Sequence, residues 1–262
     1  MFDSDFRNKR PKPLCNLNPN LEWDTVANCE SHQHFQCSHV IFDLDNTLLY
    51  TDHLYENIIN NVLKELDCSY RLDAKANLER RGLYGFDLAE YLIDKYKMPI
   101  VKEDIRNEII QYYRHYLSKC TMCPGADKLV NYFSRNGIPM AIATTTSDLA
   151  FRHMVVNHME LIKKFEHILL SNSDRMPRRG TPHPQMYIVC AARFFQRPSS
   201  CSCVVFDDSI YGIRAATKIG MKTVFIASDP NTPYSWRNEA NQTIDKLDDF
   251  NPDMFGFPPL YK

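Results

Sequence analysis

Three short stretches of this 262-residue chain concentrate residues able to bind and move charge. Asp43 and Asp45 stand two apart in Asp43-Leu44-Asp45-Asn46-Thr47, Asp207 and Asp208 are adjacent, and Thr144-Thr145-Thr146 places three hydroxyls in a row. Four carboxylates brought together repel and raise one another's pKa. A hard divalent cation removes that penalty, and Mg2+ commonly binds one or two carboxylates together with phosphate oxygens. A carboxylate at such a metal can attack phosphorus and carry it as an aspartyl-phosphate. A second acid two residues on can protonate the departing alkoxide and then deprotonate the hydrolytic water. A threonine hydroxyl can donate to a phosphoryl oxygen.

Taken singly, none of these signals is specific. An Asp-x-Asp is ordinarily a solvated turn, and an acid pair after a strand often caps a helix. Their position makes the difference, because each ends an apolar run. His39-Val40-Ile41-Phe42 leads into Asp43, Ile138 to Ala143 leads into Thr144, and Cys203-Val204-Val205-Phe206 leads into Asp207. Thr223 to Ala227 and His167 to Leu170 are two further runs. Such short runs suit buried parallel strands. Helical stretches separate them: Gly125 to Asn136 with Gly137 as its stop, Pro184 to Phe195, and Ile210 to Ile219 closed by Gly220. The alternation predicts an α/β fold, a Rossmann-like parallel sheet with helices on both faces. Ligands of such sheets bind at the carboxyl ends of the strands, where the acids and threonines would converge.

The stretch from Leu54 to Tyr116 follows another rule. Leu54, Ile58, Val62 and Leu66, then Ile105, Ile109, Tyr112 and Tyr116, repeat at helical spacing with no strand pattern. The reading is an inserted all-helical cap over residues 54–119, with the α/β core at 37–53 and 120–262. Residues 1–36, rich in Asn, Pro, Asp and His, read as a disordered tail. Within it Cys29, His32, His34 and Cys37 could form a zinc site, although the spacing matches no known finger and a solvated tail is the simpler reading.

Composition narrows the alternatives. Only eight glycines are present, and neither glycine-rich phosphate loop occurs, which excludes the nucleotide-cradling folds built on them. A net charge of −1, from 31 Lys+Arg against 32 Asp+Glu, argues against nucleic acid as the main partner. No apolar run approaches the roughly 18 residues of a membrane span. The polar stretch from Met1 to Lys12 lacks the apolar segment of a secretory signal, so the expectation is a cytoplasmic protein with nine mainly reduced cysteines.

Asp43-Leu44-Asp45-Asn46-Thr47-Leu48 after an apolar strand resembles the first motif of the haloacid dehalogenase superfamily. Thr144 matches its second motif and Asp207-Asp208 its fourth. Within the superfamily, Met122-Cys123-Pro124-Gly125-Ala126, Gly137-Ile138-Pro139 and the closing Leu247-Asp248-Asp249-Phe250-Asn251-Pro252 are similar to the pseudouridine-5′-phosphatase group. The resemblance runs from about His39 to the C-terminus. It implies Asp43 as nucleophile and Mg2+ ligand, and Asp45 as general acid/base offering its backbone carbonyl to the metal. It implies Asp207 and Asp208 as metal ligands, Asp208 the more direct, with Thr144 and Thr145 at the phosphoryl group. Asn46 takes the place of a commoner glycine and can adopt the left-handed backbone.

Two departures stand out. The third motif should carry a lysine in a Gly-Lys-Pro loop, and the matching Arg179-Gly180-Thr181-Pro182 has Thr181 at that position. Thr181 can still donate a hydrogen bond to phosphate, and Arg178 or Arg179 could supply the missing charge. In the cap turn, where the family carries basic residues after a glycine, Gly82 is followed by Leu83-Tyr84. Gly82 and Tyr84 are the candidate cap contacts to substrate, with packing as the plainer role for Tyr84. The expectation is a monomeric, Mg2+-dependent phosphatase of a small phosphorylated metabolite, a nucleoside or sugar phosphate such as pseudouridine 5′-phosphate. The alternative is a catalytically impaired relative that binds a ligand or partner.

Overall fold

The computed structural model describes residues 35–66, 69–80, 83–170 and 184–260. The expectations for Cys29, His32, His34, Gly82, Arg178, Arg179 and Thr181 lie outside the described residues. The first element is β1 (His39–Phe42), followed by the two-residue β2 (Leu49–Tyr50). Four helices come next: α1 (Asp52–Glu65), α2 (Ala74–Glu79), α3 (Gly85–Tyr96) and α4 (Lys102–Tyr116). After β3 (Thr121–Met122), helices and strands alternate. They are α5 (Ala126–Arg135), β4 (Met140–Thr144), α6 (Asp148–Val155), α7 (Met159–Ile162) and β5 (His167–Leu170). Beyond residue 184 follow α8 (Gln185–Arg193), β6 (Cys203–Asp207), α9 (Ile210–Lys218), β7 (Lys222–Ile226), α10 (Tyr234–Arg237) and β8 (Gln242–Ile244).

Six strands form one sheet in the order β5-β4-β1-β6-β7-β8, and every neighbouring pair is parallel. The five predicted strands are present, shifted by one or two residues at most ends. From β1 the chain leaves toward β4 and β5, and from β6 it leaves toward β7 and β8. The switch point of the sheet therefore lies between β1 and β6, where open α/β sheets leave a crevice for ligands. Register completes the placement. Phe42 pairs with Phe206, so Asp43 and Asp207 leave their strands side by side.

β1, β4 and β6 are buried along their whole length. Side chains alternate between two cores. Val40, Phe42, Ile142, Val204 and Phe206 face one apolar cluster, which also takes in α5 and the helices α1, α3 and α4. Ile41, Ala141, Ala143 and Val205 face a second cluster built with α8 and α9. The first cluster continues without a break from the sheet into the helical block, through Leu54, Tyr55, Ile58 and Tyr113. Among the described residues no helix is long and apolar enough to cross a membrane.

The closing segment packs into the core of the sheet domain. Phe250 packs on Phe206, Phe133 and Phe255, with ring centroids 4.9, 5.9 and 5.4 Å away. Leu247 N–H donates to the Pro124 carbonyl at 3.3 Å. Gly125, at φ +84°, starts α5 so close to this segment that a Cβ would meet the Asp248 nitrogen at 2.6 Å. The segment also orders the chain before β1, since Phe35 and Cys37 N–H donate to the carbonyls of Met254 and Phe255 at 3.1 and 2.9 Å. The described structure thus begins inside the predicted tail. Cys37 is buried, which sets this one thiol of the Cys/His cluster in the core.

The loop after β1 is tied to α1 by an exchange of roles. Thr51 stands at the N-cap of α1, but its side chain caps nothing in the helix. Instead the Asn46 side-chain oxygen accepts from Thr51 N–H at 3.0 Å and Asp52 N–H at 2.8 Å. Asn46 lies in the left-handed region at φ 51°, the conformation that a glycine would supply, and adds the cap that glycine lacks. Asn46→Gly should keep the backbone and leave two buried N–H groups unpaired, lowering stability by about 1–2 kcal/mol in urea unfolding. Asn46→Ala should lose about 1–2 kcal/mol more through the left-handed backbone. Equal stability of all three proteins would contradict this assignment.

Candidate active site

Asp43 follows β1, Asp207 ends β6 and Asp208 follows it, so the switch point brings three carboxylates together. One ligand oxygen from each lies within 4.8 Å of the others. Asp207 is held by two donors. It accepts from the Tyr187 hydroxyl, in a short bond, and from Ser209 N–H at 2.7 Å. Gly212 in the first turns of α9 makes room for it, because a Cβ there would lie 1.7 Å from an Asp207 oxygen.

The electrostatics follow from burial and crowding. Burial, then the charges of Asp207, Asp45 and Asp208, hold the Asp43 carboxyl well above the usual carboxylate range. Burial also raises Asp207 to about 6, opposed by the Tyr187 hydroxyl and Ser209 N–H. Asp43 and Asp207, both held up beside the Asp208 carboxylate, leave a local deficit of positive charge. Their all-oxygen donor set suits a hard divalent ion such as Mg2+.

Asp45 lies outside that trio and has a different environment. Its Oδ1 accepts from the Thr51 hydroxyl at 2.8 Å and its Oδ2 accepts from the Thr146 hydroxyl in a short bond. Burial raises its pKa to about 6, against the lowering effects of Thr146, Thr51 and the Arg80 guanidinium. Two carboxylates two residues apart are thereby given different surroundings, the arrangement that separates a nucleophile from a proton carrier. Thr144, fully buried at the end of β4, accepts Thr146 N–H at 3.2 Å on its hydroxyl oxygen, and Thr145 beside it is half-buried.

The helical block presents a second layer. Tyr84 is half-buried, with its ring centroid 5.2 Å from that of Tyr55. Its phenol is pushed well above the ordinary value by burial first, then by Asp45, Tyr55, Asp43 and Asp208. Tyr84 therefore packs on Tyr55, the plainer of its two expected roles. Arg80, 1% exposed, donates to the Asp52 side chain at 2.9 Å and to its backbone carbonyl at 3.1 Å. Of the sequence-predicted residues, Asp43, Asp45, Asp207, Asp208, Thr144 and Thr145 gather at this one edge, and Tyr84 packs on Tyr55 in the helical block.

Four supporting residues escaped the sequence reading. Thr51 reaches Asp45 across 6 positions, Thr146 across 101, and Tyr187 reaches Asp207 across 20. Arg80 meets Asp52 across 28 positions. Thr146 was within the hydroxyl run that drew attention to Thr144, and only its choice of partner was hidden. Nothing in the local pattern marks the other three.

Comparison with known proteins places this geometry. Residues 40–226 match the family model described as haloacid dehalogenase-like hydrolase. The chain is 29% identical over 221 residues to the Drosophila melanogaster protein named "Probable pseudouridine-5'-phosphatase", covering 84% of this chain and 94% of that one. It is 28% identical over 226 residues to (DL)-glycerol-3-phosphatase 2 of Arabidopsis thaliana, covering 85% and 92%. The crystal structure of CbbY from Rhodobacter sphaeroides with xylulose-(1,5)bisphosphate superposes with a TM-score of 0.70 at 19% identity, covering 81% and 96%, which is a likeness of fold. With the strand-end acids, the parallel sheet and a family match running from β1 to the end of β7, the chain belongs to the haloacid dehalogenase-like hydrolases.

Proposed function

We propose that this protein is a Mg2+-dependent phosphatase of a small phosphorylated metabolite, working through an aspartyl-phosphate on Asp43. The observation that carries the reading is the division of labour among the acids. Asp43, Asp207 and Asp208 share one focus, while Asp45 is held apart by Thr51 and Thr146. The trio would hold the cation, with the Asp45 carbonyl as a further donor, and the bound ion would offset the charge of the phosphoryl group.

The chain's own residues supply the rest. An Asp43 oxygen attacks phosphorus as the bond to the leaving oxygen breaks, and that oxygen keeps the electron pair and takes the Asp45 proton. Asp45, now ionised, accepts a proton from water, whose oxygen attacks phosphorus and releases inorganic phosphate and free Asp43. A group with its pKa near 6 can serve as acid and then as base near neutral pH. The Thr144 hydroxyl donates to a phosphoryl oxygen. The helical block acts as a cap that shields the intermediate from water, with Tyr84 against the leaving group. Relatives named for pseudouridine 5′-phosphate and glycerol 3-phosphate point to nucleoside, sugar or polyol phosphates as the class. The six described cysteines are free thiols, which supports a reducing cytoplasmic setting.

A second reading is favoured by Thr181 standing where the family carries lysine. It makes the protein a binder of phosphorylated ligands with little turnover. One assay separates the two. With Mg2+ and a panel including pseudouridine 5′-phosphate, glycerol 3-phosphate and p-nitrophenyl phosphate, the unsubstituted protein should release phosphate well above Asp43→Asn. Rates equal to that control would overturn the enzyme reading. A gain on the order of 10²–10³ in Thr181→Lys would then identify the missing charge as the reason.

Thermal unfolding tests the cation. Asp43, Asp45 and Asp207 bind protons more tightly folded than unfolded. Their favourable contribution is full below the ordinary carboxylate pKa and is lost as pH rises through about 6. The metal-free protein should therefore lose stability over this window. At neutral pH, Mg2+ at a hundred times its Kd should restore about 2.7 kcal/mol. Asp43→Asn should raise the metal-free Tm, and both it and Gly212→Ala should shrink the Mg2+ gain. A Tm indifferent to pH and to Mg2+ would contradict the assignment.

A further inference from the structure

Arg80 is the largest fully buried side chain of the described structure, and it is charged. It lies in the turn after α2, yet its guanidinium is spent on Asp52, the first residue of α1, through the Asp52 carboxylate and backbone carbonyl. Its Cζ stands 5.6 Å from the centre of the Tyr55 ring. Its Nε finds no hydrogen-bond partner among the described residues. A buried ion pair is weak as a stabiliser, since an apolar pair of similar volume is often as good or better. The placement of this one suggests another use. Asp52 N–H and Thr51 N–H are both fixed on Asn46, and the Thr51 hydroxyl is fixed on Asp45. A single chain of contacts thus runs from Arg80 through Asp52 and Thr51 to the Asp45 carboxylate.

We propose that Arg80 is a positioning residue for Asp45: by clamping Asp52 it sets the first turn of α1, and with it the Thr51 hydroxyl that aims Asp45 at the leaving oxygen. The inference rests on the reading of Asp45 as proton donor. Its consequence is read at the departure of the leaving group, because the later water step, for which Asp45 is the base, is the same for every ester. As the oxygen–phosphorus bond breaks, the electron pair stays on oxygen and the Asp45 proton follows it. An alkoxide needs that proton, whereas a nitrophenolate leaves without it. A residue that aims the acid therefore matters for forming the aspartyl-phosphate from alkyl phosphates and little for forming it from an activated aryl phosphate. A residue that only stabilises the fold lowers both rates together.

The test compares kcat/KM, which reads the steps up to departure of the leaving group and not the later water step, for Arg80→Met, Arg80→Lys, Asp52→Asn and Asp45→Asn on glycerol 3-phosphate and p-nitrophenyl phosphate at saturating Mg2+. Arg80→Met should lose tenfold to a hundredfold in kcat/KM on the alkyl ester and at most a few-fold on the aryl ester. Arg80→Lys should recover part of the loss. Asp52→Asn should show the same selectivity, and it carries the test if Arg80→Met does not fold. Equal losses on both esters, or no loss on either, overturn the positioning role while leaving the mechanism standing. Asp45→Asn without leaving-group selectivity overturns the proton-donor reading itself. Absence of turnover by the unsubstituted protein on both esters sinks the two together.

Discussion

Mutual repulsion among buried carboxylates is the constraint around which this molecule is organised. Asp43, Asp207 and Asp208 meet because β1 and β6 run side by side in register and both end at the switch point. A parallel sheet closed on both faces leaves nowhere else for polar strand ends to go. Each acid then needs a support that holds it in place without neutralising it. Tyr187, Ser209 N–H and the bare Cα of Gly212 do this for Asp207, and Thr51 with Thr146 does it for Asp45. The supports come from four separate helices or their leading turns, so the site is only as well formed as the sheet beneath it.

The same economy explains the loop after β1. A glycine beside Asp45 would satisfy the backbone and nothing more. Asn46 satisfies the backbone and caps α1, which releases the Thr51 hydroxyl from capping duty for use on Asp45. The first helix of the helical block is thereby coupled to the loop that carries Asp45, and Arg80 anchors the block to that helix from the other side. The Asp45 loop and the helical block share one set of hydrogen bonds.

Much of this was legible in the chain. The buried strands announce themselves as apolar runs, and each acid or threonine that matters ends one of them. The helical period of residues 54 to 116 separates that block from the sheet. What the pattern hides has physical reasons. β8 is a three-residue edge strand, Gln242–Ile244, with too little apolar character to stand out. β2 and β3 pair over two residues each, at the points where the chain leaves and re-enters the core. Phe35 owes its place to Met254 and Phe255, more than two hundred residues away, a contact that no local pattern announces. Thr146, Tyr187 and Arg80 act on partners that only the tertiary fold brings near. Side-chain identity reveals that a hydroxyl or a guanidinium is available, and the fold alone decides which carboxylate receives it.

The central claim is that Asp43 carries the phosphoryl group. It is tested most directly by rapid acid quench during turnover with Mg2+ and p-nitrophenyl phosphate, followed by peptide mass spectrometry. The account predicts a phosphate mass on the peptide containing Asp43, absent in Asp43→Asn and accumulating in Asp45→Asn as water activation fails. Steady turnover with no phosphate on that peptide, or phosphate on a different residue, would contradict it.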